Sequence, residues 1–113
     1  MPINYIIITM TKYKIFKIKK GKREIWEKWC KEIVMRQEEA IKTLVEEDLI
    51  NEKCIIFGKG DNSYVFYKHE TISNREKKPM NLSREINRKH KEMLVECLEE
   101  VDDKVVGYDI EVK

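Results

Sequence analysis

Six stretches of the chain carry a regular hydrophobic pattern, in the order strand, helix, strand, strand, helix, strand. The strand stretches are rich in β-branched and aromatic residues, whereas the helical stretches repeat apolar residues every three or four positions. They cover residues 4–18, 22–48, 50–57, 63–69, 83–101 and 104–113. This β-α-β-β-α-β order is that of ferredoxin-like folds. Because crossover connections are right-handed, the order predicts an α+β fold in which two helices cover one face of a four-stranded antiparallel sheet.

Polar segments separate these stretches. The glycine-containing segment 58–62 is predicted to be a hairpin turn, since it joins two strands. It lacks the spacing of a phosphate-binding loop, which would also precede a helix. Residues 70–82 include Pro79 and are interpreted as a connection.

The predicted strands are apolar at consecutive positions, as in residues 15–16, 55–57 and 64–67. Neighbouring residues of a strand point to opposite faces of the sheet, so both faces should be apolar. The two helices cover one face, and a second copy of the same sheet is the simplest cover for the other. The pattern therefore predicts a homodimer that forms through the open sheet face.

The length of 113 residues suits a single domain over residues 1–113, with residues 1–10 as an N-terminal extension of the first strand. The apolar run at residues 6–8 is far shorter than the ~20 residues of a membrane span. The three cysteines form no CxxC pair and lie among apolar residues, as reduced cysteines do. These features predict a cytoplasmic protein without a membrane segment.

Charged residues make up 39% of the chain, but 23 basic and 21 acidic side chains nearly balance. Such a balance indicates a solvated surface and not a surface for polyanions. RNA-recognition domains nevertheless share this order of elements, and residues 64–67 match half of their aromatic third strand. Residues 61–63 stand where glycines and an aromatic residue would be expected. RNA binding through the open sheet face is therefore an alternative, and nucleic acid is the less favoured partner.

Residues 16–22 and 86–92, followed by Cys97, resemble a family of small uncharacterised bacterial and archaeal proteins. That family looks like a branch of the dimeric α+β barrel superfamily, whose ferredoxin-like subunits pack sheet to sheet. Its pattern often has Asp-His-Pro before the second helix, where this chain has Ser83-Arg84-Glu85. The superfamily includes monooxygenases and mutarotases, so the resemblance implies an architecture and a dimer and not one chemistry.

His90 lies at the centre of the apolar arc of the second predicted helix, and Gln37 lies near the centre of the stripe on the first, with Arg36 at its edge. Both groups would enter the layer between helices and sheet, where an unpartnered polar group costs ~1–3 kcal/mol. Two interpretations stay open. In the first, His90 and Gln37 are core groups that bond to each other, to Tyr67 or to a buried water. In the second, they line a ligand pocket together with Tyr67, Arg36 and Trp29.

Metal and cofactor sites are not predicted. His69 and His90 have no HxH or HxxxH spacing, and His90 and Cys97 are about 10 Å apart along a helix, too far to share one ion. A Cys-His nucleophile would require Cys30 or Cys54 to approach a histidine in the fold.

The favoured function is a dimer that binds a small molecule between helices and sheet, with catalysis and the ligand left open. The alternatives are a structural or regulatory interaction dimer and a binder of single-stranded RNA. An open cavity beside His90 would favour the first, whereas a sealed core would favour an interaction dimer.

Overall fold

The computed structural model describes residues 9–72 and 75–112. Its elements in chain order are β1 (Thr9–Ile18), α1 (Arg23–Met35), α2 (Gln37–Glu46), β2 (Leu49–Lys59), β3 (Asn62–Ile72), α3 (Glu85–Cys97) and β4 (Leu98–Glu100). Most of the predicted extension at residues 1–10 lies outside the described residues, while Thr9 and Met10 belong to β1.

The four strands form one antiparallel sheet in the order β2-β3-β1-β4. Since β1 and β2 both run antiparallel to β3, they are parallel to each other with β3 between them. The long central pairing of β1 with β3 aligns Phe16 with Val65 and Lys14 with Tyr67. The α+β class and the four-stranded antiparallel sheet predicted from the sequence are confirmed.

The hairpin between β2 and β3 is also confirmed, with longer strands than predicted. Lys59 pairs with Asn62, so the turn consists of Gly60 and Asp61. Gly58 has a φ of 88°, and a Cβ there would lie 2.0 Å from the carbonyl oxygen of Asn62. A side chain at this position would therefore push the two strands apart.

The single helix predicted over residues 22–48 is wrong, because the chain breaks into α1 and α2 at Arg36. Arg36 has φ −105° and ψ 34°, outside the helical region, and its N–H bonds to the carbonyls of both Glu32 and Ile33. Hydrophobic periodicity continues through the break, so the sequence pattern did not reveal it. The break lets α1 pack against α3 while α2 packs against β2.

The C-terminal predictions over residues 83–101 and 104–113 also need correction. The helix ends at Cys97, and the next three residues form β4, which pairs with the end of β1. One more hydrogen bond, from Val101 N–H to the Ile15 carbonyl, follows. Residues 104–112 then form no strand, although Val106, Tyr108, Ile110 and Val112 alternate. Alternation describes two faces of a strand, but a strand also needs a neighbour to pair with.

The core lies between the sheet and the helices. Trp26 and Trp29 of α1 and Ile86 of α3 pack against Ile18 and Val65 of the sheet, and all five are nearly completely buried. Both α1 and α3 therefore cover the same sheet face. Within the described residues, no helix combines the length and the apolar character needed to cross a membrane.

Candidate functional site

A cavity of about 660 Å³ lies between the helix-covered face of the sheet, α3 and the segment 75–80. This volume is in the range of sites for small organic ligands. Its polar and charged lining comprises Lys12, Tyr13, Lys14, Glu52, Tyr67, His69, Thr71, Arg75, Glu76, Lys77 and His90, and its apolar lining comprises Met10, Phe16, Met80 and Leu94. The floor is formed by alternate side chains of β1 and β3, because alternate side chains of a strand share a face. Tyr13 borders the cavity between Lys12 and Lys14, but its side chain is on the opposite sheet face, where it stacks on Phe66.

The segment 75–80 forms one wall and is attached to the end of α2. Lys77 Nζ lies 2.7 Å from a carboxylate oxygen of Glu47, whose side chain is buried, and Lys78 N–H donates to the Glu47 carbonyl at 3.0 Å. Arg75 and Lys78 both pair with Asp48, at 3.5 Å and 3.3 Å. The two contacts with Glu47 attach the wall to the chain between α2 and β2.

A chain of hydrogen bonds runs from the core to the cavity wall. Trp29 Nε1 lies 2.9 Å from His90 Nδ1, and His90 Nε2 lies 3.1 Å from the Tyr67 hydroxyl. The Tyr67 hydroxyl lies 2.5 Å from Glu52 Oε1. The same oxygen lies 3.0 Å from His69 Nε2. Four elements (α1, α3, β3 and β2) thus contribute to one connected network.

The donors fix the direction of every bond in this chain. An indole N–H can only donate, so His90 Nδ1 must accept and His90 is the neutral tautomer with its proton on Nε2. His90 Nε2–H then donates to the Tyr67 oxygen, and the Tyr67 O–H donates to Glu52. An ionised Glu52 can only accept, so His69 Nε2–H also donates to it. All the donors point towards the carboxylate.

The pKa shifts agree with this direction. Burial lowers the pKa of His90, an effect that the nearby Glu52 charge partly opposes. Burial, followed by the charge of Glu52, raises the pKa of Tyr67 well above 10, so its phenol stays protonated. Burial alone would raise the pKa of Glu52, but the hydrogen bonds from His69 and Tyr67 outweigh it and the net shift is downward. Glu52 is therefore an ionised acceptor.

A row of three charged or titratable groups crosses the cavity floor. In the strand register Glu52 of β2 is opposite His69 of β3, and His69 is opposite Lys12 of β1. With strands about 4.8 Å apart, the row spans about 10 Å. Carboxylate, imidazole and ammonium thus lie in line on one face. Such an arrangement offers a positive group at one end and hydrogen-bonding groups along the rest of the row.

Three of the five residues predicted for a pocket come together here. Trp29, Tyr67 and His90 form the buried part of the hydrogen-bonded chain, and the last two line the cavity. The other two lie elsewhere, which corrects their predicted position. Arg36 pairs with Glu32, Glu39 and Glu85 at the junction of α1, α2 and α3. Gln37 is exposed, because the break at Arg36 changes the phase of the helix.

Sequence reasoning missed Glu52 and His69. A signal for them existed in the hairpin: a two-residue turn at Gly60-Asp61 fixes the register, and that register places Glu52 opposite His69. His69 also lies two positions from Tyr67, which was predicted to line the pocket, and therefore shares its face of β3. The turn was predicted within residues 58–62, but the register between β2 and β3 follows only when its two central residues are known.

Among the residues that the structure describes, no group of three or more His, Cys, Asp or Glu side chains is arranged to hold a metal ion. Cys30, Cys54 and Cys97 are free thiols. Over the described ranges no hydrogen bond joins a cysteine to either histidine, so the structure provides no Cys-His pair for nucleophilic catalysis.

Comparison with known protein families gives a match over most of the chain. The sequence profile described as "Family of unknown function (DUF6176)" matches residues 9–112. The chain belongs to this family. No curated protein and no solved structure matches it. The part matched to DUF6176 includes every element from β1 to β4 and all the residues that line the cavity.

Proposed function

We propose that this chain binds a small organic molecule in the cavity between the sheet, α3 and residues 75–80. The observation that carries the proposal is the position of the hydrogen-bonded chain. Its polar groups need partners in any buried setting, but His69, Glu52, Tyr67 and His90 all reach the lining of a cavity of about 660 Å³. A merely structural network would be enclosed by packed side chains.

The experiment is a thermal-shift screen of small organic molecules on the whole chain and on two variants. Leu94 lines the cavity, and Leu94→Trp should fill part of it. The adjacent Val95 is 67% exposed, so Val95→Trp is a matched control. Compounds that raise the melting temperature of the wild type and of Val95→Trp, but not of Leu94→Trp, would support the proposal.

A second variant covers the case in which Leu94→Trp does not fold. Met10 lies on β1 in the cavity lining and is 36% exposed. Met10→Trp should therefore fold, because strands favour aromatic residues, and should also fill part of the cavity. A screen without any stabilising compound, or with compounds that stabilise Leu94→Trp and Met10→Trp as much as the wild type, would contradict the proposal.

We further propose that the chain is a ferredoxin-like subunit of a homodimer in the manner of dimeric α+β barrels. The resemblance of residues 16–22 and 86–92 supports this, as does the placement of β3 between the parallel strands β1 and β2. The sheet face away from the helices supports the dimer. It carries Tyr13, Ile55 and Phe57, with exposed fractions of 47%, 43% and 44%.

Light scattering at micromolar concentration tests the dimer. The wild type should have twice the chain mass, and Ile55→Lys, on the open sheet face, should reduce it towards one chain. Val34→Lys is the matched control, since Val34 is an exposed apolar residue of α1. A folded wild-type monomer would contradict the dimer. It would also favour the RNA alternative, because the stacked pairs Tyr13–Phe66 and Phe57–Tyr64 would then be free to stack on bases.

A further inference from the structure

We propose that the ligand of the cavity is an organic anion whose acidic group lies against Lys12 and Lys14 and whose apolar body contacts Phe16 and Leu94. This inference rests on the proposed function and specifies its ligand class. It is argued from the distribution of charge over the cavity lining.

The cations of the lining differ in whether their charge is already neutralised. Lys77 pairs at 2.7 Å with Glu47, whose side chain is only 6% exposed, and Arg75 pairs at 3.5 Å with Asp48, whose side chain is 17% exposed. Lys12 makes no ion pair with the residues that the structure describes. Lys14 has its nearest carboxylate, on Glu100, at 3.9 Å, and the two side chains are 61% and 41% exposed. An ion pair of this kind contributes little, so the two lysines of β1 are available to a ligand.

The acids of the lining do not neutralise this end of the cavity. Glu52 lies two strands away from Lys12 and already accepts hydrogen bonds from Tyr67 and His69. Glu76 belongs to the opposite wall and is exposed to solvent. Positive charge therefore dominates over β1 and negative charge over β2.

The apolar lining adjoins the positive end. Phe16 follows Lys14 on the same face of β1, and Leu94 faces the cavity from α3. His69 lies between Lys12 and Glu52 in the strand register. Across the floor, a molecule about 10 Å long would meet the ammonium of Lys12, then the imidazole of His69, then the carboxylate of Glu52. A carboxylate or phosphate ester with an aromatic or aliphatic body and one further polar group fits this sequence of contacts.

Two fluorescent dyes with the same aromatic body test the ligand class. The probe is 8-anilinonaphthalene-1-sulfonate, and the comparison is N-phenyl-1-naphthylamine, which lacks the sulfonate. The wild type should bind the sulfonate about tenfold more tightly than the neutral dye, as two partly exposed ion pairs allow. Lys12→Gln combined with Lys14→Gln should remove this preference by weakening the binding of the sulfonate about tenfold.

The matched control is Lys28→Gln with Lys31→Gln, which makes the same change in net charge on the exposed side of α1. It should keep the preference for the sulfonate. Phenylacetate and phenyl phosphate should displace the anionic dye, whereas 2-phenylethanol should not. The more effective of the two anions identifies the acidic group as carboxylate or phosphate.

The outcomes separate this inference from the proposed function. Equal binding of both dyes, lost in Leu94→Trp but insensitive to the lysine variants, would overturn the anion and leave the cavity as a binding site. Dye binding that survives in Leu94→Trp and Met10→Trp would place the dye on another surface. That result would overturn the inference and the proposed function together.

Discussion

The indole N–H of Trp29 donates to Nδ1 of His90 at 2.9 Å, and this bond from α1 to α3 fixes which nitrogen of His90 carries the proton. Because Trp29 cannot accept, His90 cannot hold a proton on Nδ1 without losing the bond. The remaining proton on Nε2 points to Tyr67, and Tyr67 in turn points to Glu52. A contact in the core thus determines which atoms of His90 and Tyr67 donate hydrogen bonds at the cavity floor.

Replacing Trp29 by Phe tests this relationship. The variant leaves His90 Nδ1 as a buried acceptor without a donor, which should lower the free energy of unfolding by about 1–3 kcal/mol. It should also raise the pKa of His90 above its wild-type value, since protonation at Nδ1 no longer breaks a hydrogen bond. Chemical denaturation gives the first quantity, and an NMR titration of the imidazole gives the second.

Trp26→Phe is the matched control for that prediction. Trp26 is as buried as Trp29, but its Nε1 has no hydrogen-bond partner among the described residues. The control should leave the pKa of His90 unchanged. An equal effect of both substitutions on that pKa would mean that packing, and not the hydrogen bond, sets it.

The stability of the protein should depend on pH through His90. Burial lowers the folded-state pKa of His90 below its usual value of 6.5, so the unfolded state binds a proton first as the pH falls. Stability is then fully present above pH 6.5 and is lost as the pH falls from there through the folded-state pKa. The free energy of unfolding should therefore be lower at pH 5.5 than at pH 7.5.

His90→Gln should reduce that decrease, because a glutamine amide does not titrate but still offers a donor to Tyr67. The comparison isolates His90 from the other groups that titrate in this range. If the variant and the wild type lost the same free energy between the two pH values, His90 would not be the group responsible.

The parts of the fold that were predictable follow from local pattern. Composition was enough for the long strands, and glycine content for a hairpin turn within residues 58–62. The break at Arg36 was not predictable, since the apolar stripe continues across it. The remote contact of Arg36, its ion pair with Glu85 of α3, depends on the packing of the helices and leaves no local pattern in the sequence.

The same limit applies to the candidate site. His90 was identified because it is a polar residue in an apolar arc, which is a local signal. Its partners were harder to identify, since a residue such as Glu52 on an edge strand resembles an ordinary exposed acid. Only the register between β2 and β3 brings Glu52 beside His69 and Tyr67.

Substitutions at Arg36 and Gln37 should distinguish the structure from the helical-wheel interpretation. Arg36→Met should lower the melting temperature only slightly, because Glu39 and Glu85 lose their cation but solvent already screens these exposed pairs. Gln37→Ala should be close to neutral. Neither should alter binding of the anionic dye by more than about twofold, since both lie outside the cavity; a larger loss at either position would contradict this placement.

The exposed C-terminal segment should contribute to the proposed dimer. Val106, Tyr108, Ile110 and Val112 alternate along it and are 61% to 98% exposed, which is costly for so many apolar residues unless a partner covers them. Removing residues 102–113 should weaken self-association in sedimentation experiments while the monomer stays folded. An unchanged dimer would show that the segment has no part in the interface.

The most direct test of the binding cavity uses the two histidines of the chain, which both line it. The imidazole region of a proton–carbon NMR spectrum therefore contains two sets of signals, from His69 and His90. During a titration with 8-anilinonaphthalene-1-sulfonate, both sets should shift with the same midpoint as the dye fluorescence in the wild type, and neither should shift in Leu94→Trp. A full rise in fluorescence with both imidazoles unmoved in the wild type would contradict binding in this cavity.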